Sequence, residues 1–137
     1  MKQVPYLKGE DILIIHARIV EQIGGGHGVR DVGLLASIST ASAQSAFGKE
    51  LYGTIFLKAA VYLERIANYH VFIDGNKRTS IAASARFLFL NGYMLHATNN
   101  EVEFFVLRVV VEKLSLEEIA EWLEKNTEVT AQNELLR

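Results

Sequence analysis

Residues 54–92 read TIFLKAAVYLERIANYHVFIDGNKRTSIAASARFLFLNG, which is two apolar helical patterns joined by a short polar segment. The first pattern begins after Thr54, a candidate helix cap, and carries apolar residues at three- and four-residue intervals until it ends near His70. The second begins at about Asn76, is rich in alanine, phenylalanine and leucine, and stops at Asn91. Because this second helix is apolar on most sides, we expect it to lie at the centre of the fold.

Helical patterns also flank this pair on both sides. Upstream, an apolar stripe predicts a helix from Gly9 to Ile23, ended by a run of glycines, and Asp31 is a candidate N-cap for the next helix. Downstream, Thr98 to Glu101 and Ser115 to Glu118 each fit a capping box, so two further helices are expected. The sequence therefore predicts an all-α bundle of about six helices. The predicted stripe of the first helix consists of Ile12, Ile15, Ile19 and Ile23.

Length and composition fit one folded domain. The chain has 137 residues, half of them apolar, and a chain of this size buries roughly two-thirds of the surface that it exposes when unfolded. We expect the domain to span residues 1–125 and a polar, flexible tail to occupy residues 126–137. The small and polar stretch at 41–53 is interpreted as a frayed helix end followed by a mobile surface loop.

Charge and cysteine content exclude several classes of function. Fourteen basic and sixteen acidic side chains give a formal net charge of −2, without a block of like charge, so no broad field that attracts nucleic acid or a membrane is expected. Any phosphate binding must therefore be local. The chain has no cysteine, no apolar run near the ~20 residues of a membrane span and no signal-peptide pattern, which together favour the cytoplasm.

The segment from His70 to Arg78 joins the two central helices and has the features of an anion-binding loop. Backbone N–H groups in the first turn of a helix lack intrahelical partners, and the helix dipole adds positive potential there. Gly75 allows a turn conformation and close approach of a ligand, while Lys77 and Arg78 supply charged donors to phosphate oxygens. Asn76 can fix either the loop or the ligand. These residues are predicted to bind a nucleotide.

Two side chains of this loop are candidate catalytic residues. His70 is the nearby group that titrates near neutral pH, so it is the candidate base for an attacking hydroxyl group. Asp74 would lie beside the phosphates, where Mg²⁺ is commonly shared between a carboxylate and phosphate oxygens, although it could instead only cap the helix. Phe72, flanked by two apolar residues, should point inward and anchor the loop to the core.

Other motifs in the chain predict no chemistry. The glycine-rich run at 24–28 lacks the spacing of a phosphate-binding loop and follows a helix rather than a strand, so we interpret it as a flexible turn. No upstream glycine stands at the Walker spacing from Lys77. The four histidines show no metal-ligand spacing, and none is assigned to a structural metal.

The segment from His70 to Arg78 resembles the active-site motif of the Fic/Doc superfamily, and more closely that of its Doc (death-on-curing) toxin branch. The Fic pattern is His-Pro-Phe-x-Asp/Glu-Gly-Asn-Gly-Arg-x-x-Arg, and here Val71, Lys77 and Ile81 replace its proline, second glycine and second arginine. Doc-type motifs read His-x-Phe-x-Asp-Ala/Gly-Asn-Lys-Arg, which this chain matches at every fixed position. The segment from Gly28 to Leu35 also resembles the Doc-type sequence before the second helix.

The resemblance implies an ATP-dependent, Mg²⁺-dependent transferase that modifies a hydroxyl group of a protein. Fic enzymes transfer AMP, whereas Doc transfers the γ-phosphoryl group to a threonine of elongation factor Tu, stops translation and is restrained by the antitoxin Phd. The second arginine of Fic proteins grips the γ-phosphate, so Lys77 and Ile81 favour a reversed ATP pose and a Doc-like kinase. The alternatives are a Fic-type AMP transferase and a catalytically silent module that binds a nucleotide or a partner.

Self-inhibited Fic proteins carry a Ser/Thr-x-x-x-Glu-Gly/Asn motif, and here only Thr130 to Glu134 matches its first half, followed by Leu135. We therefore expect no built-in inhibitor. The resemblance instead implies a separate, Phd-like antitoxin whose disordered segment folds as an amphipathic helix into an apolar groove of the bundle.

Overall fold

A computed structural model describes residues 3–131 and gives this part of the chain six helices and two short antiparallel strand pairs. The predicted all-α bundle is confirmed. None of these helices is both long and apolar enough to cross a membrane. The elements are α1 (Gly9–Ile23), α2 (Val32–Ala41), β1 (Ser45–Ala46), β2 (Lys49–Glu50), α3 (Ile55–Tyr69), α4 (Asn76–Leu90), β3 (Tyr93–Leu95), α5 (Asn99–Val111), α6 (Leu116–Lys125) and β4 (Thr127–Val129).

Side-chain caps set where four of the helices begin. Asp31, Thr54, Thr98 and Ser115 each accept a hydrogen bond from the backbone N–H three residues later, over 2.9 to 3.1 Å. The capping boxes predicted at α5 and α6 are both present. In the first of them, the N–H and hydroxyl groups of Thr98 lower the pKa of Glu101, because hydrogen bonds to the ionised carboxylate favour it.

Helices α3 and α4 pack against each other at the centre of the fold, and α3 also packs against α6. The run Ala59–Leu63 of α3 is fully buried, which shows that this helix is enclosed on more than one side. Phe87 and Leu88 of α4 are also fully buried. The expected central position of α4 is thus confirmed, and the segment that joins α3 to α4 lies between two helices with fully buried residues.

The buried face of α1 differs from the predicted stripe. Ile12, His16 and Val20 are buried, whereas Ile23, the last residue of that stripe, is 40% exposed. A spacing of four along α1 therefore faces the core, and a histidine occupies its middle position. The helix ends as predicted at Gly24, which has the left-handed φ of 75°.

The stretch at 41–53, predicted as a frayed helix end and a loop, instead contains the β1–β2 hairpin. Phe47 and Gly48 form its turn, both with positive φ, as a two-residue hairpin turn requires. The buried ammonium group of Lys58 in α3 donates hydrogen bonds to the carboxylate of Glu50 and to the carbonyl oxygen of Tyr52. These bonds fix the hairpin to the central helix.

Strand β4 pairs with β3, with Tyr93 opposite Val129 and Leu95 opposite Thr127. Three residues of the segment from 126 onward, which the sequence predicts as a loose polar tail, thus form β4. Two further backbone bonds extend the pairing, from the N–H of His96 to Asn126 and from that of Thr130 to Gly92. The remainder of the tail at 132–137, which includes most of the partial inhibitor motif, lies outside the described residues.

Candidate active site

His70 occupies the C-cap of α3 and is exposed. Its backbone has the left-handed conformation, with φ 52° and ψ 53°, which costs a residue with a side chain on the order of 1 kcal/mol and persists only where neighbouring contacts hold it. The chain therefore leaves α3 abruptly at this residue. The imidazole of the predicted base lies where a hydroxyl group of another molecule can reach it.

Arg30 supplies contacts that hold this helix end. Its Nε donates a hydrogen bond of 2.6 Å to the carbonyl oxygen of His70, and its Nη2 donates one of 3.2 Å to that of Tyr69. The backbone N–H of Arg30 also donates to the carbonyl oxygen of Val71, at 2.8 Å. A guanidinium group thus satisfies two carbonyls at a helix C-terminus, where such partners are otherwise lacking.

Phe72, the predicted loop anchor, is 1% exposed and points into the core. Its backbone is held by two hydrogen bonds from the side chain of Asn76. The Oδ1 of Asn76 accepts from the N–H of Phe72 at 3.0 Å, and its Nδ2 donates to the carbonyl oxygen of Phe72 at 2.9 Å. On α1, the ring of His16 stacks on the ring of Phe72 with 3.8 Å between centroids and 7° between planes. Of the two roles open to Asn76, the structure places its side chain on the loop.

The glycine-rich segment after α1 runs along the loop, and its interpretation as a flexible turn is wrong. Val29 forms a β-bridge with Phe72, and the N–H of Ile73 donates to the carbonyl oxygen of Gly28 at 3.2 Å. One step further, the N–H of Gly26 donates to Oδ2 of Asp74 at 2.8 Å. The segment therefore forms a second wall of the site and touches a predicted catalytic carboxylate.

Close approach explains why glycines occupy this wall. A Cβ atom added to Gly25 would lie 3.2 Å from Cβ of Asp74, and one added to Gly26 would lie 3.0 Å from its Oδ2. At Gly28, which has a φ of 130°, the added atom would lie 3.0 Å from Cδ1 of Ile73. Side chains at these positions would displace the loop or the carboxylate.

Asp74 is exposed, and its carboxylate bonds to Gly26 rather than to the first turn of α4, which has no side-chain cap. The alternative that Asp74 only caps this helix is therefore wrong. No group of three or more acidic, histidine or cysteine side chains in residues 3–131 could hold a metal ion by itself. A single carboxylate does fit Mg²⁺ that arrives with phosphates, because Mg²⁺ keeps several waters and commonly uses one or two protein carboxylates.

The N-terminus of α4 faces the same site. Gly75 is its N-cap, with φ 80° and ψ 15°, a conformation that glycine adopts without strain. The N–H groups of Asn76, Lys77 and Arg78 occupy the first turn, where no carbonyl of the same helix can accept from them. Both basic side chains are exposed. The predicted phosphate-binding residues thus share one helix end with uncapped amides.

A groove of about 570 Å³ extends from this helix end between α1, α4 and α5. Its apolar lining includes Ile19, Ile81, Val102, Val106 and Leu107. Lys77 and Arg78 also line it, so the phosphate-binding candidates and the groove are continuous.

Arg78 is paired within the groove. Its Nη2 lies 3.5 Å from the Oε1 of Glu103 on α5, and more than half of each side chain is exposed. Such exposed pairs contribute little to stability, so an incoming phosphate can replace the carboxylate. Lys77 forms no ion pair with any residue in the described part of the chain.

Three residues of the site were absent from the sequence prediction. His16 could have been noticed as the polar residue between Ile12 and Val20 at four-residue spacing, and Gly26 as part of a run that permits close backbone contact. No local signal identifies Arg30, because its side-chain partners lie 39 and 40 residues away.

The sequence of this chain is similar to those of known proteins. A family model described as Fic/DOC family matches residues 6–88, which include α1, the glycine-rich wall, the loop and most of α4. The chain is 38% identical over 92 residues to a protein named Toxin Doc from Mycolicibacterium smegmatis, a match that covers 67% of this chain and 68% of the relative. It is 30% identical over 87 residues to a protein named Protein kinase doc from Escherichia phage P1, which covers 64% of this chain and 68% of that relative.

Proposed function

This chain belongs to the Fic/DOC family, and on that premise we propose that it is the toxin of a toxin–antitoxin pair that transfers the γ-phosphoryl group of ATP to a protein hydroxyl group. The target is elongation factor Tu, and its modification in the cytoplasm stops translation. Support comes from the names of the two relatives and from the site, which places an exposed histidine, a carboxylate and an uncapped, basic helix N-terminus on one loop.

In the proposed reaction, the hydroxyl oxygen of the target attacks the γ-phosphorus while its proton moves to a ring nitrogen of His70. The bond between the γ-phosphorus and the bridging oxygen breaks, and ADP leaves with that electron pair. The first-turn amides of α4, together with Lys77 and Arg78, hold the phosphate oxygens and offset their charge. Asp74 is the residue that would hold Mg²⁺ against these phosphates, where the ion would add further positive charge.

The observation that favours γ-phosphoryl transfer over AMP transfer is the lining of the groove beside the loop. Lys77 and Ile81 both line it, at the positions where the Fic pattern has a glycine and its second arginine. The groove therefore offers no guanidinium at the position from which Fic proteins grip the γ-phosphate, and an ammonium group occupies space that a glycine would leave open. Both changes disfavour the AMP-transfer pose.

Position-specific labels test this proposal directly. The purified protein is incubated with Mg²⁺, elongation factor Tu and ATP labelled at either the α- or the γ-phosphate, and a lysate replaces the factor in parallel. We expect label on protein from γ-labelled ATP alone, and none with the His70→Ala variant. Transfer of the α-label would identify an AMP transferase. No label on protein from either form of ATP would favour a catalytically silent binding module.

A substitution at position 81 tests the pose argument. Ile81→Arg restores the charge of the Fic motif and should lower γ-phosphoryl transfer, because the arginine would draw the γ-phosphate away from the reactive position. Ile81→Met keeps a long apolar side chain and serves as the control. Equal γ-transfer by the two variants would show that the missing arginine does not decide the reaction.

We further infer that the antitoxin segment binds in the groove between α1, α4 and α5. The groove joins an apolar lining to Lys77 and Arg78, so an amphipathic helix placed there would also cover the phosphate-binding residues. Leu107→Asp, within the groove, should abolish antitoxin binding and leave the toxin active. Val111→Asp, one turn further along the same helix and outside the lining of the groove, is the matched control. Binding unchanged by Leu107→Asp would place the antitoxin elsewhere.

A further inference from the structure

His16 is a buried polar side chain that the proposed reaction does not use. It is 4% exposed and lies between Ile12 and Val20 on the buried face of α1. Its Nε2 lies 2.7 Å from the carbonyl oxygen of Asp74, and its ring stacks on that of Phe72. An apolar side chain could fill this space, so the ring nitrogen requires a separate explanation.

We propose that His16 is a positioning residue, whose Nε2–H donates to the carbonyl oxygen of Asp74 and fixes the turn from which α4 begins. The assignment of the proton follows from chemistry, because a carbonyl oxygen can only accept. In its catalytic consequence this inference rests on the proposed function, since it concerns the geometry of the carboxylate that would hold Mg²⁺ and of the amides that would bind phosphate.

The surroundings of the turn show why this one bond matters. Gly75 follows directly, and a Cβ atom added to it would lie 3.7 Å from Cδ2 of His16, so the turn rests on the imidazole at van der Waals distance. The carboxylate of Asp74 is held separately by the N–H of Gly26. Asp74 is therefore fixed at its backbone by α1 and at its side chain by the wall that follows α1.

Two substitutions test the contributions of the His16 ring and of its N–H donor separately. His16→Phe keeps a ring to stack on Phe72 and loses the donor, whereas His16→Gln loses the ring and keeps an N–H group with similar reach. His96→Phe is the control, because His96 is exposed after β3 and lies outside both the loop and the lining of the groove. Thermal unfolding of each variant shows whether it is folded before activity is measured.

We expect His16→Phe to remain folded, to lose about tenfold in kcat, which corresponds to one hydrogen bond of ordinary strength, and to need a higher Mg²⁺ concentration for half-maximal rate. His16→Gln should recover most of both quantities. If His16 served only to pack the core, His16→Phe would be more active than His16→Gln. That order, or full activity of His16→Phe, would overturn the inference.

A measurement that needs no activity keeps the inference separate from the proposed function. Two-bond ¹H–¹⁵N correlation spectra of the imidazoles report which ring nitrogen carries the proton, and we expect Nε2–H for His16. Hydrogen exchange at Gly75 and Asn76 should be faster in His16→Phe than in the wild-type protein. An unprotonated Nε2 or unchanged exchange would refute the positioning role, whereas a wild-type protein without transferase activity would refute only the proposed function.

Discussion

Asn76 is the residue of the loop from 70 to 78 whose substitution should most clearly separate folding from chemistry. Its side chain makes two hydrogen bonds, of 3.0 and 2.9 Å, with the backbone of Phe72, which is 1% exposed. Each such bond contributes about 1 kcal/mol, and a buried N–H left without a partner adds to the loss. Asn76→Ala should therefore lower the free energy of unfolding by about 2 kcal/mol.

For a domain of this size, 1 kcal/mol corresponds to roughly 3 to 4 °C in Tm, so we expect a decrease of about 6 to 8 °C, measured by far-UV circular dichroism. Lys77→Ala is the matched control at the next position, because that side chain is exposed and forms no ion pair in residues 3–131. It should leave Tm unchanged and weaken ATP binding, measured by calorimetry.

Asn76→Asp refines the same experiment. It keeps an oxygen that can accept from the N–H of Phe72 but faces the carbonyl oxygen with a second acceptor, so it should fall between the wild-type protein and Asn76→Ala in Tm. A decrease in Tm of less than about 2 °C for Asn76→Ala would refute the reasoning, because it would mean that the loop does not depend on the two hydrogen bonds between Asn76 and Phe72.

Three further substitutions test other parts of the molecule. His70→Ala should lower transfer by about 10²- to 10⁴-fold without changing Tm or ATP affinity, and transfer at the wild-type rate would exclude His70 as the base. Glu103→Gln releases Arg78 from its 3.5 Å partner and should tighten ATP binding a few-fold, about what an exposed ion pair is worth; unchanged affinity would show that Glu103 does not compete with phosphate for Arg78. Burial raises the pKa of Tyr62 from 10.0 to about 12, so the stability that this phenol provides is present below pH 10 and is lost as the pH rises toward 12. Tyr62→Phe removes the hydroxyl that accepts from the N–H of Leu7 and should lower the free energy of unfolding by about 1 to 3 kcal/mol at neutral pH; denaturant titrations across pH should show that the alkaline loss is smaller than in the wild-type protein, and an equal loss would contradict the assignment.

The helix boundaries could be predicted because the interactions that set them are local. The caps at Asp31, Thr54, Thr98 and Ser115 each bond to an N–H three residues away, and α1 and α4 have the predicted ends. The spacing of apolar residues within one helix also predicts which face is buried, but α1 offers more than one apolar face. Only packing against the loop selects the face that carries His16.

The arrangement around the loop could not be predicted, because its contacts join distant parts of the chain. The bond between His16 and Asp74 spans 58 residues, and that between Arg30 and His70 spans 40. Strand β4 likewise depends on pairing with β3, more than 30 residues earlier. In each case the local sequence permits several conformations, and a partner elsewhere in the fold decides among them.

The glycine-rich wall shows why the distinction matters for function. A glycine run has the same sequence whether it serves flexibility or close approach, and here a Cβ atom added to Gly25 or Gly26 would lie only 3.2 or 3.0 Å from the side chain of Asp74. Residues outside the motif thus set the position of a carboxylate within it, while Arg30 sets the conformation of His70. The loop from 70 to 78 grafted between two other helices would keep its side chains but lose these supports. We therefore attribute the site to the loop together with α1 and the wall.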